Sequence, residues 1–445
     1  MDGKSVKANI LNVIEARKKD IIDIGERIYK NPETGFKEKD TSELVAQTLK
    51  GMGFNCVLPG DIPGVKVTID TGREGPGLAI LGELDALVCS EHPDCNKETG
   101  AIHACGHNIQ IAAMLGAAMG ITGSGAADSL CGKIHFIAVP AEEYIEVAYR
   151  MQLREKGVIR YLGGKPEFLY RGLFDDVDMC IMVHSSSSAK KIAIETSSNG
   201  CIVKKIRYIG KASHAGAAPQ DGINALYAAN LGMMAINSLR ETFKEADYIR
   251  VHPIITKGGD IVNVIPAEVT AETFVRGKTM DGILNANKKV NRALAGGAIA
   301  MGAAVEIEDI PGYYPYNADK NLREIARSVA LELLDKDEVT EFGHHNGSTD
   351  LGDHSALMPI LQPYIGGVVG GLHTMEFRNV DHEASYVLGA KFLACLAVEL
   401  MKDGAPAAKD VLAKYQPVFK TKEEYMKFAD SLFSTKVYSA KQLEV

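Results

Sequence analysis

A cysteine and a histidine stand two residues apart in the run HACGHN at residues 103 to 108. Cys105 and His107 flank Gly106, whose conformational freedom lets a thiolate and an imidazole turn toward one point. Both groups are good ligands for zinc. A free buried cysteine beside polar residues that cap a helix has the same local sequence. This run therefore predicts a metal site only if other ligands join it.

Two adjacent glutamates end a predicted strand in the run PAEE, as Glu142 and Glu143. Two carboxylates are costly to bury at such a place unless a metal ion or a proton neutralises them. One can bind a metal while its neighbour transfers protons. The alternative for this pair is a solvated charge between a strand and a loop.

Two histidines occupy similar places. His184 ends the apolar run DMCIMVH, and His373 follows the glycine-rich run at 366 to 371. Taken alone, His184 has the pattern of a hydrogen-bonded core histidine and His373 that of a loop residue. Together with the residues above, they make six candidate side chains for metal binding or proton transfer.

A largely parallel sheet is needed to bring these side chains together. Continuous apolar strands are predicted at 65 to 70, 77 to 83, 133 to 140 and 178 to 184, with helices over 8 to 30 and 107 to 121. Strands that alternate with helices in this way indicate an α/β fold with helices flanking a buried sheet. Open sheets of this kind place ligands at the carboxyl ends of their strands, where the candidate ligands stand.

The middle of the chain has a different pattern. Residues 200 to 311 are predicted to form strand, helix, strand, strand, helix and strand, which is the ferredoxin-like βαββαβ order. Helical segments resume at 320 to 334 and 384 to 401. We therefore predict an inserted domain at 196–311 within a catalytic domain formed by 1–195 and 312–445, ending in a helical tail.

Composition excludes several classes of protein. The formal net charge of −8 argues against a nucleic-acid partner, which usually requires clustered Lys and Arg. We find neither a secretory signal nor an apolar stretch of about 18 residues that spans a membrane. Eight scattered cysteines without a CxxC pair indicate reduced thiols. The prediction is a cytoplasmic protein that acts on a small molecule.

Nine motifs in order resemble the aminoacylase and carboxypeptidase-G-like family of dinuclear metallopeptidases. Within it the similarity is to the amidohydrolase branch that includes auxin-conjugate hydrolases and p-aminobenzoyl-glutamate hydrolase, which shares the C-G-H element. The motifs are NPETGFKE (31 to 38), LGELDAL, HACGHNIQIAAMLGAA, PAEE, GLFDDVD, SHAG (213 to 216), NVIPAEVTAETFVRG, GSTDLGD and GGLHT.

The resemblance implies a role for each matching residue. The ligands of two divalent ions, zinc or manganese, would be Cys105, His107, Glu143, His184 and His373. Glu142 would be the general base, Asp85 would orient a ligand imidazole, and His214 would stabilise the oxyanion from a partner subunit. Asn263 and Arg276 would hold the substrate carboxylate. The inserted domain would serve as a lid and dimerisation domain, and the protein would be a homodimer.

The chain departs from this branch in three places. Glu83 and Asn108 stand where the auxin-conjugate hydrolases have aspartates, which brings the chain nearer the aminobenzoyl-glutamate type. Tyr144 and a longer segment follow the glutamate pair, where the family has glycines and a short helix. The segment from 144 to 171 is expected to narrow the acyl pocket or to contact another subunit.

Two further histidine-containing groups are ambiguous. The loop with Cys89, His92 and Cys95 has the spacing of a small zinc site, but it lacks a fourth ligand and suits an exposed loop better. His344 and His345 precede GSTDLGD and suit either a substrate contact or a solvated turn.

Three functions stay open from the sequence. The preferred one is a metal-dependent amidohydrolase that cleaves an N-acyl or N-aroyl amino acid, including aminobenzoyl-glutamate. The second is a dipeptidase or aminoacylase with the same machinery. The third is a catalytically silent metal-binding scaffold, against which the presence of the base and all five ligands counts.

Overall fold

The computed structural model describes residues 3–442, so residues 1–2 and 443–445 of the predicted catalytic domain lie outside the described part. The chain forms two compact units. The first contains the residues up to Ser197, Asn317–His345 and Asp353–Lys420; the second contains Ser198–Tyr316, Asn346–Gly352 and the residues from Thr421 onward.

Two helices open the chain, whereas the sequence predicts one helix over residues 8 to 30. The backbone of Arg17 leaves the helical conformation (φ −102°, ψ 9°). The apolar pattern does not reveal this break, because the buried Ile14 and Ile21 are seven residues apart, as on one continuous helix. The elements before the insertion are α1 (Gly3–Ala16), α2 (Lys18–Lys30), α3 (Lys39–Gly51), β1 (Val65–Asp70), β2 (Gly77–Glu83), β3 (Leu87–Val88), β4 (Ala101–Ile102), α4 (His107–Gly123), β5 (Lys133–Val139), α5 (Val147–Glu155), α6 (Gly164–Tyr170), β6 (Met179–Ile181), β7 (His184–Ser185) and β8 (Ile192–Ser198).

The inserted segment has the predicted order of elements, except that its second strand is divided. Pro253 has no N–H to donate to a neighbouring strand, and the strand is interrupted at His252 and Pro253. The elements are β9 (Gly200–Ile209), α7 (Ala225–Ser238), β10 (Arg250–Val251), β11 (Ile254–Lys257), β12 (Glu268–Gly277), α8 (Met280–Ala300) and β13 (Ala304–Pro311).

The remaining chain adds short strands and helices. They are β14 (Tyr316–Asn317), α9 (Lys320–Leu333), β15 (Val339–His345), α10 (Leu351–Ser355), β16 (Ile360–Leu361), β17 (Tyr364–Ile365), β18 (Val368–Val369), β19 (Arg378–Asn379), a π-helical turn (Glu383–Val387), α11 (Leu388–Met401), α12 (Pro406–Lys414), α13 (Lys422–Ser431) and β20 (Ser434–Ser439).

The first unit is built on a sheet with the order β1-β5-β2-β6-β16. Its pairs are parallel except for the edge strand β1, which runs antiparallel to β5. Every residue of β2 is buried, as expected of a strand covered on both faces. The predicted α/β fold with a mostly parallel sheet is confirmed.

Parallel pairing aligns the carboxyl ends of the central strands. Glu83 ends β2 and is paired in register with Val139, the last residue of β5. His184 begins β7, which follows β6 after two intervening residues and pairs in parallel with β17 in a separate sheet. The polar residues that follow these strands therefore meet at one edge of the sheet.

The second unit is an antiparallel sheet with the order β10-β12-β9-β13-β20. Ten residues of β12 pair with β9, from Glu268 with Ile209 to Gly277 with Gly200. Burial alternates along β12, because one face of an antiparallel sheet packs on helices while the other faces solvent.

The C-terminal tail corrects one predicted domain limit. The sequence places it with the catalytic domain as a helical tail, yet β20 pairs with β13 from Ser439–Ala304 to Ser434–Asp309. The residues from Thr421 onward accordingly belong to the second unit. The sequence of the tail does not reveal this strand, because the backbone groups that pair with β20 belong to β13, more than a hundred residues earlier in the chain.

Among residues 3–442, one helical stretch is long and apolar enough to cross a membrane by composition alone, although no such stretch is expected from the sequence. It comprises Glu383–Met401, and 83% of its most apolar window is buried within the protein. It packs against α4 in the hydrophobic core of the first unit, as a buried core helix does.

Candidate metal centre

Five predicted ligands lie together in the first unit, four of them at or near the end of an element and His373 in the turn between β18 and β19. Cys105 and His107 bracket Gly106, which has a left-handed backbone (φ 81°) at the start of α4. A Cβ atom on Gly106 would lie 2.2 Å from the Ser185 hydroxyl oxygen. Only glycine therefore allows α4 to approach β7 so closely.

The donor atoms form three overlapping groups, each within 4.8 Å: Cys105 with His107 and His184; Cys105 with Glu143 and His373; and Glu83 with His107 and Glu142. The Cys105 Sγ atom lies 3.4 Å from His184 Nε2. The Glu143 Oε1 atom lies 3.0 Å from His373 Nε2. Cys105 is thus placed between two groups of potential ligands.

Hydrogen bonds fix which nitrogen of two imidazoles faces this centre. The His107 Nδ1 atom donates to the Asp85 carbonyl oxygen at 2.8 Å, and His184 Nδ1 donates to the Ser185 carbonyl oxygen at 3.0 Å. In a neutral ring the other nitrogen then carries the lone pair. Both Nε2 atoms are available to a metal.

Asp85 contacts two predicted ligands without joining any of the donor groups. Its Oδ2 atom accepts the Glu143 N–H at 2.8 Å, and its Oδ1 atom lies 3.2 Å from His107 Nδ1. Carboxylates in this position hold ligand imidazoles in one orientation. The geometry suits the orienting role that the sequence predicts for Asp85.

Opposite charges at the centre outweigh the effect of burial on ionisation. Burial and Glu143 raise the pKa of the Cys105 thiol, but His184 and His107 lower it to about 6. Burial raises the pKa of Glu143, but His373 lowers it to about 2. Burial lowers the pKa of His373, but the Glu143 carboxylate raises it to about 11.

These residues fit a divalent metal. A thiolate, imidazoles and carboxylates are the groups that bind zinc and manganese. The buried His107 Nε2 atom has no hydrogen bond within the described chain, although it lies 3.1 Å from the Glu83 Oε2 atom. A bound cation would satisfy this atom and would neutralise the anions that the imidazolium groups now balance.

Sequence reasoning missed a buried ion pair beside the His107 Nε2 atom, on the side of the ring that faces the centre. The carboxylate of Glu83 forms an ion pair with Lys165 and accepts a hydrogen bond from Gln110 at 2.7 Å. Burial raises the pKa of Glu83, but Lys165 lowers it to about 2. The available signal was Lys165 itself, a charged residue between the apolar residues of the segment from 144 to 171.

The other predicted site residues belong to the second unit. His214 is exposed, and its Nδ1 atom accepts the N–H groups of Gly216 and Ala217 at 3.2 and 3.1 Å. Asn263 lies beside it, since the Asn263 carbonyl oxygen accepts the Ala215 N–H at 2.9 Å. Arg276 is half-buried and donates to the Ser348 hydroxyl at 3.0 Å.

The loop with Cys89, His92 and Cys95 does not form a group of potential metal ligands within the described chain. The His92 Nδ1 atom accepts the Asp94 N–H at 3.1 Å, and its Nε2 atom donates to the Phe377 carbonyl oxygen at 2.9 Å. His92 is buried rather than exposed, because these bonds tie the loop to the chain around His373.

The other ambiguous pair is likewise partnered. His344 Nδ1 lies 3.0 Å from the Ser197 hydroxyl. The ring of His345 packs against Tyr364, with 6.3 Å between centroids.

Comparison with known proteins matches the chain to a peptidase family and to two named relatives. The model of Peptidase family M20/M25/M40 matches residues 79–399. Over 338 residues the chain is 31% identical to Xaa-Arg dipeptidase of Mus musculus, covering 73% of this chain and 70% of that protein. Over 396 residues it is 27% identical to thermostable carboxypeptidase 2 of Saccharolobus solfataricus, covering 85% and 95%.

A solved structure has the same fold. It is that of a Bacillus subtilis protein described as a dinuclear metal-binding peptidase from the M20 family, with a TM-score of 0.64 and 22% identity over 86% of this chain and 98% of that one. The resemblance read from the motifs is confirmed by the family match. The chain therefore belongs to Peptidase family M20/M25/M40 and is a metal-dependent hydrolase that acts on amide bonds.

Proposed function

We propose that the protein hydrolyses the amide bond of an N-acyl or N-aroyl amino acid, including aminobenzoyl-glutamate, with two divalent metal ions and Glu142 as general base. The observation that carries this proposal is the place of Cys105 in two donor groups at once. A ligand shared in this way suits a pair of ions better than one.

Zinc or manganese would be held by Cys105, His107, Glu143, His184 and His373. The thiolate and imidazoles favour zinc, and the carboxylate also suits manganese. Ions bound there would supply Lewis-acid chemistry, by polarising the substrate carbonyl and making the attacking water more acidic.

Glu142 would move the protons. Its Oε2 atom lies 3.8 Å from His107 Nε2, so the carboxylate borders the centre. Glu142 would take the proton from the attacking water and deliver it to the nitrogen of the leaving amine. Asp85 would keep His107 and the backbone of Glu143 in place during both steps.

The resemblance assigns the remaining roles to residues of the second unit. Because Nδ1 of His214 accepts two backbone N–H groups, its Nε2–H can donate to a developing oxyanion. The resemblance assigns this role to His214 of the partner subunit. Arg276 and Asn263 would hold the free carboxylate of the substrate, for which a guanidinium group is well suited.

A homodimer is supported by an apolar surface on the second unit. Tyr227, Leu231 and Met234, which share one face of α7 by their spacing, are 59%, 37% and 57% exposed. Large apolar side chains exposed together mark interaction sites more often than free surface.

All eight cysteines are free thiols, which suits the proposed cytoplasmic location.

A dipeptidase activity is the second candidate. It is favoured by the similarity to Xaa-Arg dipeptidase, whose name describes cleavage of a dipeptide with a C-terminal arginine. The two activities share the centre and differ in whether the acyl side carries a free α-amino group.

The test measures release of free amine from N-acetyl, N-aroyl and dipeptide substrates by metal-reconstituted protein. Glu142→Gln should retain both metals and lose at least about 100-fold in kcat, the lower range for a proton-transfer group. Glu155→Gln is the matched control, because Glu155 is an exposed residue of α5. Hydrolysis of dipeptides alone would select the second candidate. Full activity of Glu142→Gln would refute the assigned base.

A further inference from the structure

The segment from 144 to 171 carries charged side chains into the interior of the first unit. Arg150, Lys165 and Glu167 are each no more than 1% exposed. Buried charges are costly unless they are paired or fully hydrogen-bonded. Their partners therefore show what the segment does. Lys165 forms an ion pair with Glu83. Glu167 forms an ion pair with Arg171 and accepts the N–H groups of Arg160 and Tyr161.

Arg150 reaches the backbone of the glutamate pair. Its Nη2 atom donates to the carbonyl oxygen of Glu143. Its Nη1 atom donates to the Leu162 carbonyl oxygen at 2.7 Å and to the Ala141 carbonyl oxygen at 3.3 Å. One guanidinium group thus holds the carbonyls on both sides of Glu142.

The backbone at this point is not held by regular secondary structure. β5 ends at Val139, and Ala141 has a left-handed conformation (φ 55°) that is strained for a residue with a Cβ atom. Its N–H donates to the buried carboxyl of Glu38 at 2.7 Å. The Ala141 and Glu143 carbonyl oxygens accept the backbone N–H groups of Gly164 and Ile145 at 3.2 and 2.8 Å. Arg150 adds a charged donor to both carbonyls and so ties this turn to α5.

The guanidinium group of Arg150 has little room to move. A Cβ atom on Gly35 would lie 2.3 Å from its Nη2 atom. The rings of Phe36 and Tyr144 lie 5.5 and 5.8 Å from its central carbon. A planar group enclosed in this way keeps its hydrogen bonds in one geometry.

We propose that Arg150 is a positioning residue that fixes the orientation of Glu142 and Glu143 through their backbone. The 144–171 segment is then a support for the metal centre rather than a wall of the acyl pocket. The proposal rests on the proposed function, in which Glu142 moves protons and Glu143 binds metal.

The experiment compares Arg150→Met and Arg150→Lys with the wild-type protein. Arg150→Met removes the charged donor from three carbonyl groups, of which those of Ala141 and Glu143 keep only a backbone N–H. The single ammonium group of Arg150→Lys restores part of the bonding. We expect Arg150→Met to lower kcat and the affinity for zinc by roughly 10- to 100-fold, the range for residues behind metal ligands. KM should change less than about threefold, and Arg150→Lys should recover part of kcat.

Two controls separate positioning from stability. Arg154→Met removes a guanidinium group one turn further along α5, where Arg154 donates to the Arg160 carbonyl oxygen instead. Met151→Ala removes a buried side chain of the same helix, so it lowers Tm without touching the glutamate pair. Both should keep the wild-type kcat and zinc affinity at a temperature where all variants are folded.

A second readout keeps this test independent of the substrate. The thiolate-to-metal absorption of cobalt-substituted protein should change in Arg150→Met and not in Arg154→Met. If the wild-type protein cleaves no amide but the spectrum still shifts, the proposed function fails and the positioning role stands. An unchanged spectrum with unchanged kcat, or equal losses in Met151→Ala, would overturn the proposal.

Discussion

The sulfur of Cys105 is the atom on which the two-metal proposal depends. It lies 3.4 Å from His184 Nε2 and shares a second donor group with Glu143 and His373. Its imidazole neighbours favour the thiolate near neutral pH. The residue therefore offers a ready anion to a cation without a large cost of deprotonation.

Cys105→Ser should test this assignment. A serine hydroxyl remains protonated near neutral pH, so the variant lacks the anion that both groups share. We expect zinc affinity and kcat to fall at least about 10-fold, because even substitutions of residues that only support metal ligands cost about that much. Metal content after dialysis and turnover with the preferred substrate measure the two effects.

Cys56→Ser is the matched control for this variant. Cys56 is half-buried and lies 3.6 Å from the Ala46 carbonyl oxygen, remote in its contacts from the centre. If Cys105→Ser keeps two equivalents of zinc at wild-type affinity, Cys105 is not a shared ligand.

The motifs predicted which residues meet at the centre, but not what holds them. Cys105, His107 and Glu143 follow from local runs, because the ends of parallel strands converge. Arg150 and Lys165 could not be assigned, since their partners are Glu143 and Glu83, which lie on other elements. Sequence spacing says nothing about such pairs unless one side chain is already known to be buried.

The hairpin formed by β18 and β19 is the element that carries His373. Val368 pairs with Asn379 and Val369 with Arg378, so the turn between them projects from a very short ladder. His373 has a left-handed backbone (φ 63°), and its N–H donates to the Ala104 carbonyl oxygen. An element with so few ladder bonds depends on contacts at its base.

We predict that His92 stabilises this hairpin. His92→Leu removes the hydrogen bond to the Phe377 carbonyl oxygen and leaves that acceptor without its partner. Amide hydrogens of residues 370–377 should exchange faster, and zinc affinity should fall roughly 10-fold, as for other residues behind a ligand. His252→Leu, at an exposed histidine of the second unit, should leave both unchanged. Unaltered exchange in His92→Leu would show that the hairpin is held without this bond.

At the scale of the whole molecule, the order of elements between residues 200 and 311 was predictable, but the strand that the C-terminal tail adds to their sheet was not. The βαββαβ order follows from apolar periodicity between residues 200 and 311, whereas β20 adds to the far edge of the same sheet. Exposed and buried residues do not alternate along β20, since the consecutive residues Thr435, Lys436 and Val437 are all exposed. A strand of this kind owes its place to the backbone of β13 rather than to an apolar face.

The stability of the folded protein should depend on pH through Glu195. This residue is 1% exposed and accepts a hydrogen bond from the Tyr364 hydroxyl at 3.2 Å. Burial raises the pKa of Glu195 to about 8, against the opposing effects of Tyr364 and His184. The carboxyl group is ionised above about pH 4.5 in the unfolded chain, whereas the folded protein keeps its proton up to about pH 8.

Between these two pH values the folded state binds more protons, so the free energy of unfolding falls as pH rises. Glu195→Gln keeps an acceptor oxygen for Tyr364 and removes the titration. The variant should therefore gain stability over wild type from pH 5 to pH 8, by at most on the order of 4 kcal/mol at about 1.4 kcal/mol per pKa unit. Urea unfolding of both proteins at several pH values, with a chelator present, measures the difference between their free energies of unfolding. The metal ligands are the same in both proteins, so their titration cancels in this difference. If the two stability curves run parallel across this range, Glu195 is ionised in the folded protein, and the His184 imidazolium or another cation neutralises it.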